Sequence, residues 1–221
     1  MKDLAGKFLS KDEQQEVIRS VQEAEKITSG EIVPMVVSTS YHYPLANVIG
    51  ALLFSLTLAI IVTLAVSIRK MWLVPSHYDM WIFPAVLALS FPLFHELIKR
   101  LVFLKRLFIS AAEIDEEVEE AALTSFYRKG LSNTRDKTGV LIFISVFERK
   151  VWVLADEGIN EKVDPGTWEE IVDIVTLGIK EKRQGPALCN AIKRCGELLE
   201  SNFPIKPDDT DELDNLIIEG R

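Results

Sequence analysis

From Leu45 to Ile68 the chain runs without a charged side chain, long enough to cross a ~30 Å hydrocarbon core as a helix. This stretch lies inside the chain, directly after "TSGEIVPMVVSTS", whose β-branched residues have the extended character of a soluble strand. A second apolar stretch, Met80 to Ile98, follows and carries charge only near its end, at His95 and Glu96. Pro84 and Pro92 interrupt it, as membrane helices tolerate better than soluble ones. Together the two stretches predict a transmembrane hairpin joined by "RKMWLVPSHYD".

Orientation follows from the distribution of lysine and arginine. The connecting loop holds Arg69 and Lys70, whereas the outer flanks hold Lys26, Lys99, Arg100, Lys105 and Arg106. That bias places both chain ends in the cytoplasm of a two-pass protein of the inner (plasma) membrane. Met1 to Lys11 is charged and does not read as a signal peptide. Trp72, Tyr78 and Trp81 would form the aromatic belt on the far side. A basic run, "KRLVFLKR", suits contact with lipid headgroups. The net charge of −8 argues against nucleic acid as a partner.

The flanking sequence reads as soluble structure on both sides. Ser10 and Glu13 form a capping box for a helix whose face is Val17, Ile18, Val21 and Ala24. A strand is predicted from Glu31 to Ser38, and Pro34 within it points to a sheet edge. Beyond the hairpin, Ile114, Val118, Ala121, Ala122, Ser125 and Phe126 share one face of a helix that stops at Gly130. "TGVLIFISVFERKVWVLADEG" reads as two strands turning at Phe147 to Lys150. Asp164 and Pro165 start a helix with Trp168, Ile171, Val172, Val175 and Ile179 inside. Gly185-Pro186 opens a last helix carrying Leu188, Ala191, Ile192, Cys195, Leu198 and Leu199 on its inner face. Cys189 and Cys195 are turned ~240° apart on that helix, against a disulfide. The tail "IKPDDTDELDNLIIEGR" is acidic and broken by proline, and reads as extended; its final "IEGR" matches a protease recognition site.

Neither soluble fragment has enough strands for a sheet of its own. Joined across the hairpin they make one α/β domain with a small mixed sheet. A crossover through the 111–130 helix makes the first two strands parallel, and the short turn makes the second and third antiparallel.

"TSGEIVPMVV", "DKTGVLIFISVFERKVWVLADEGI", the Trp168 helix, "AIKRCGELLESNFP" and "DELDNLIIEG" resemble the TPM domain family, in particular a bacterial branch of membrane proteins. The resemblance implies a three-layer α/β/α sandwich, here interrupted by the transmembrane helical hairpin. Residues 1–44 then form the first part of the TPM-like domain, 45–98 the hairpin, 99–204 the second part and 205–221 an acidic tail. The family is associated with phosphatase activity and calcium binding in some members, and with assembly or modulation of membrane complexes in others.

The chemistry-bearing residues narrow these options. His42, His77 and His95 all lie in or beside the membrane element, so the sandwich core has no histidine for a Ser-His or Cys-His nucleophile pair. His42, His95 and Glu96 would meet at one membrane interface, where polar residues without a task are common. The run Glu113, Asp115, Glu116, Glu117, Glu119 and Glu120 reads as a solvated, dipole-favoured helix start. The strand order brings Glu31, Asp136, Asp156 and Glu157 to the membrane-distal end of the sheet. Gathered acids repel one another unless a cation neutralises them, so these four are the candidate metal ligands for a weak Ca²⁺ or Mg²⁺ site. Pairing with Arg135 or Lys137 is the alternative for Glu31 and Asp136. The expected function is a membrane-anchored interaction domain that works with the lipid bilayer and an unidentified membrane protein. A metal-dependent acid phosphatase acting through carboxylates is the alternative.

Overall fold

A computed structural model describes residues 3–69, 77–164, 166–206 and 212–220. Along the chain come α1 (Lys11–Glu25), β1 (Glu31–Val37), α2 (Pro44–Arg69), α3 (Ile82–Arg100), the short α4 (Val102–Arg106) and α5 (Ala111–Arg128). Then follow β2 (Gly139–Ser145), β3 (Lys150–Ala155), the single turn α6 (Glu157–Asn160), α7 (Gly166–Lys180), α8 (Gln184–Asn202) and β4 (Ile217–Glu219). They form two compact units, 1–41 with 114–221 and 42–113.

The first unit is α/β, built on a mixed sheet of order β3-β2-β1-β4 among the described residues. Its local signals act as expected. Ser10 Oγ accepts from Glu13 N while Ser10 N donates to Glu13 Oε2 at 2.8 Å, and the latter bond holds the Glu13 carboxyl below its usual range. Asp164 Oδ1 accepts from Gly166 N at 3.0 Å, capping α7; Pro165 lies outside the described residues. Gly130 stops α5 with φ 80°, a left-handed conformation that glycine adopts without a Cβ penalty.

Alternation divides the sheet's side chains between two layers. Ile32 and Val36 of β1 and Val140, Ile142 and Ile144 of β2 pack with Val17 and Val21 of α1, Ile171 and Val175 of α7, and Leu188, Ile192 and Cys195 of α8. Each such fully buried Ile, Leu or Val is worth about 1.5–3 kcal/mol relative to exposure. The other face buries Val33, Met35, Leu141 and Phe143, and α5 buries Ile114, Val118, Ala122 and Phe126. Cys189 and Cys195 are free thiols, and burial pushes Cys195 up to about 12.

Two expectations are overturned together. The Glu31 strand is interior, not an edge, because the C-terminal segment read as an extended acidic tail supplies β4. Ile217, Ile218 and Glu219 pair in parallel with Met35, Val36 and Val37, while β2 pairs along the whole other side of β1. Pro34 fits because of direction. Glu31 N donates to Thr138 O on the β2 side. Ile32 N turns the other way, to Glu25 Oε1 at 3.1 Å, and Ser38 N donates to Glu219 O. Alternation therefore places the missing N–H of Pro34 on the β4 side, and β4 pairs only from Met35 onward. The remaining order holds: β1 and β2 are parallel, β2 and β3 antiparallel.

The second unit is a helical hairpin. α2 and the segment Asp79–Arg100 are both long and apolar enough to cross a membrane, with 22% and 11% of the relevant windows buried. Lys70 and Trp72 of the connecting loop lie outside the described residues. α2 buries Ala46, Asn47, Gly50, Ala51, Ser55 and Ala59, and exposes Leu52, Leu53, Leu56, Ile60, Ile61 and Leu64. A Cβ on Gly50 would sit 2.7 Å from Phe108 and 2.8 Å from Ile98, so only glycine admits that approach. Phe54 stacks on Phe94 with ring centroids 5.7 Å apart. The hydroxyls of Ser55 and Thr63 donate to their own helix, at Ala51 O and Ala59 O, which satisfies them without water.

Candidate functional site

β1 ends at Val37 and leads into Thr39, Ser40 and Tyr41, at the carboxyl end of the parallel β1–β2 pair. In open α/β sheets ligands bind outside the carboxyl ends of strands, and a cleft of about 420 Å³ lies there. Val37, Phe143 and Glu219 contribute from three strands, and Thr39, Ser40 and Tyr41 from the segment after β1. α5 closes the cleft with Glu117, Glu120, Thr124, Ser125 and Arg128.

A buried carboxyl shapes this cleft. Glu148, with no exposed surface, sits in the β2–β3 turn. Its Oε1 accepts from Thr39 Oγ1 and from Ser40 N, both at 3.0 Å, and Ser145 Oγ donates to its Oε2. The turn thus holds the segment that leaves β1, which positions its hydroxyls. Thr39 Oγ1 lies within 2.8 Å of Tyr41 O. Ser40 Oγ is buried and has no hydrogen-bond partner among the described residues.

The cleft carries both signs of charge. Arg128 contacts both carboxylate oxygens of Glu219, at 3.2 and 3.0 Å, and Lys129 Nζ approaches the same carboxylate at 2.7 Å. Glu117 and Glu120 face the cleft, and Asp115 pairs with Lys150 at 2.5 Å. The α/β unit contains no histidine, because His42, His77 and His95 all fall within 42–113. Hydroxyls, opposed charges and Phe143 thus line one cleft.

The four acids proposed as metal ligands lie at the opposite, amino end of β1 and β2. Glu31 is in register with Gly139, whose carbonyl accepts from Asp156 N at 2.9 Å. Each acid is already engaged. Glu31 Oε1 accepts from Glu212 N at 3.4 Å. Asp156 caps α6 through Glu157 N at 2.8 Å. Asp136 pairs with Lys206 at 2.6 Å and Glu157 with Lys137 at 3.6 Å. A divalent ion there would have to displace both lysines. Among the described residues no three His, Cys, Asp or Glu are grouped so as to hold a metal ion. In the hairpin, Glu96 pairs with Arg100 at 2.9 Å, and the His95 ring lies 6.2 Å from Phe91.

No local pattern marks Glu148 as a hub, since a glutamate in a charged turn reads as surface. The signal that marks the cleft is the Thr39-Ser40 pair just past the end of a strand that begins a crossover.

An α/β sandwich with a cleft at its strand ends, interrupted by an apolar hairpin, is the class this geometry defines. The model of the TPM domain matches residues 100–198. The resemblance noted in the sequence thus holds over this stretch, although α1 and β1 precede the matched residues. Among solved structures, the chain is similar in fold to the BA42 protein of the psychrophilic bacterium Bizionia argentinensis, with 22% identity, a TM-score of 0.58 and 96% of each chain covered. No curated protein matches the chain.

Proposed function

We propose that this chain is a membrane-anchored TPM domain that assists assembly or regulation of a membrane protein complex. In this reading the hairpin makes two passes through the inner (plasma) membrane, and both chain ends and the domain are cytoplasmic. The observation that carries the proposal is the reversed patterning of α2. Small and polar residues, Asn47, Gly50, Ala51 and Ser55, are buried, while Leu52, Leu53, Leu56 and Ile60 face outward. In water, large apolar side chains are covered and small polar ones exposed. In lipid the preference reverses, because helices associate through small residues and need no hydrophobic drive between them.

The cleft supports the interaction role. Glu117, Glu120 and the Arg128–Glu219 pair line it with charge beside the hydroxyls of Thr39, Ser40 and Thr124, a surface that favours specificity through charge complementarity. A native gel of membranes solubilised in mild detergent tests this. The chain should run in an assembly containing a second protein, and Glu120→Lys with Arg128→Glu should release it. Migration of the unaltered chain alone would count against the reading.

A further inference from the structure

A second cavity, of about 570 Å³, opens on the opposite face of the sheet from the cleft, where the β2–β3 turn meets the end of α7 and the segment before α1. Its volume falls in the range that holds small ligands. Ile144 and Val151 form a buried floor, and Phe8 and Ile179 are partly buried beside them. The rim is cationic. Arg149, Lys180 and Lys182 line it and are exposed, and none of them forms an ion pair with a carboxylate among the described residues. Lys150 also borders the cavity but is taken by Asp115.

On a chain of net charge −8, three cations without an ion pair among the described residues, set around an apolar hollow, call for an anion with an apolar body. Two of them, Arg149 and Lys182, have left-handed backbones, with φ 54° and 58°, uncommon for residues with a side chain. Neither half of such a ligand suffices alone. A free anion would leave the Ile144 and Val151 floor wet, and an uncharged hydrocarbon would make no use of the rim. Each methylene buried against the floor adds to binding, and guanidinium and ammonium groups donate strong, charge-assisted hydrogen bonds to carboxylate or phosphate.

We propose that this cavity binds a single apolar chain carrying an anionic headgroup, with the chain against Ile144, Val151 and Ile179 and the carboxylate or phosphate at Arg149, Lys180 and Lys182. Two sources offer that chemistry, a free fatty acid and an acyl chain of an anionic phospholipid. The inference stands apart from the interaction role, because this cavity and the cleft share no lining residue.

The full chain, reconstituted in phosphatidylcholine nanodiscs, is exposed to a diazirine-bearing fatty acid in one arm and to discs doped with a diazirine-bearing phosphatidylglycerol in the other. Adducts are mapped by peptide mass spectrometry. At least one arm should label segments 144–151 or 176–179, and the labelled arm identifies the source. Combined Arg149→Glu, Lys180→Glu and Lys182→Glu should cut that labelling at least about tenfold, at ~1 kcal/mol per basic residue. These positions are exposed, so the fold should survive, as an unchanged circular dichroism spectrum would confirm. Thr176→Trp, which fills the cavity and leaves the rim intact, should cut it too. Labelling confined to the hairpin in both arms, or cavity labelling that charge reversal leaves unchanged, overturns the proposal even where membrane anchoring holds.

Discussion

Glu148, with no surface exposed to solvent, accepts a 3.0 Å hydrogen bond from Oγ1 of Thr39, a residue 109 positions earlier in the chain. The contact ties the β2–β3 turn to the point where the chain leaves β1. It is the local reason that Thr39 and Ser40 face the cleft in fixed positions rather than as a free connection.

Glu148→Ala should therefore be costly. It removes the side-chain acceptor of Ser40 N and Ser145 Oγ, and one of the two acceptors in reach of Thr39 Oγ1. Stability should fall by about 3 kcal/mol, measured by chemical unfolding of the solubilised chain. The exposed Glu161→Ala should change it by less than about 0.5 kcal/mol. Equal effects of the two substitutions would mean that the buried network does not hold the segment.

The C-terminal strand makes a second prediction. Ile217 is 9% exposed and pairs with Met35. Ile217→Ala should destabilise the α/β unit by about 2 kcal/mol and raise its tendency to aggregate, since loosening β4 bares one side of β1. A loosely extended tail would tolerate the change with no shift in the unfolding midpoint.

Cys195 makes a third. Burial raises its thiol from 9.0 to about 12. The folded state then keeps its proton where the unfolded state loses it, so the stabilising difference is complete below pH 9.0 and drains away between 9.0 and about 12. Unfolding free energy should drop with pH in that window, at most ~1.4 kcal/mol per unit, and Cys195→Ala should flatten this part of the slope. At pH 8 a maleimide should modify Cys189, which is partly exposed, and leave Cys195 untouched until denaturant is added. Rapid labelling of Cys195 in the folded chain would contradict its place in the core.

Much of this fold could be read from local pattern, for reasons visible in particular residues. The Ser10–Glu13 box, the Gly130 stop and the inner face of α8 each rest on interactions within a few residues or on one helical period. The parallel pairing of β1 with β2 followed from a crossover rule. What failed was long-range. Pro34 suggested an edge because sequence does not disclose which way an N–H points, and Ile217–Glu219 is too short and too acidic in its surroundings to announce a strand. In the candidate sites, the acids Glu31, Asp136, Asp156 and Glu157 were legible as a charge cluster at the amino ends of β1 and β2 because topology alone brings strand ends together. The cleft at the carboxyl ends depends on Glu148 meeting Thr39 and Ser40, a contact no local signal reports.

The central claim is that an α/β domain is anchored by a hairpin inserted between β1 and α5. Membrane partitioning after an alkaline carbonate wash tests it most directly, comparing the full chain with a version in which residues 42–113 are replaced by a flexible Gly/Ser linker. The account predicts that the full chain stays with the membrane pellet, while the linker version is soluble and unfolds cooperatively as an α/β unit. Release of the full chain into the wash would contradict it.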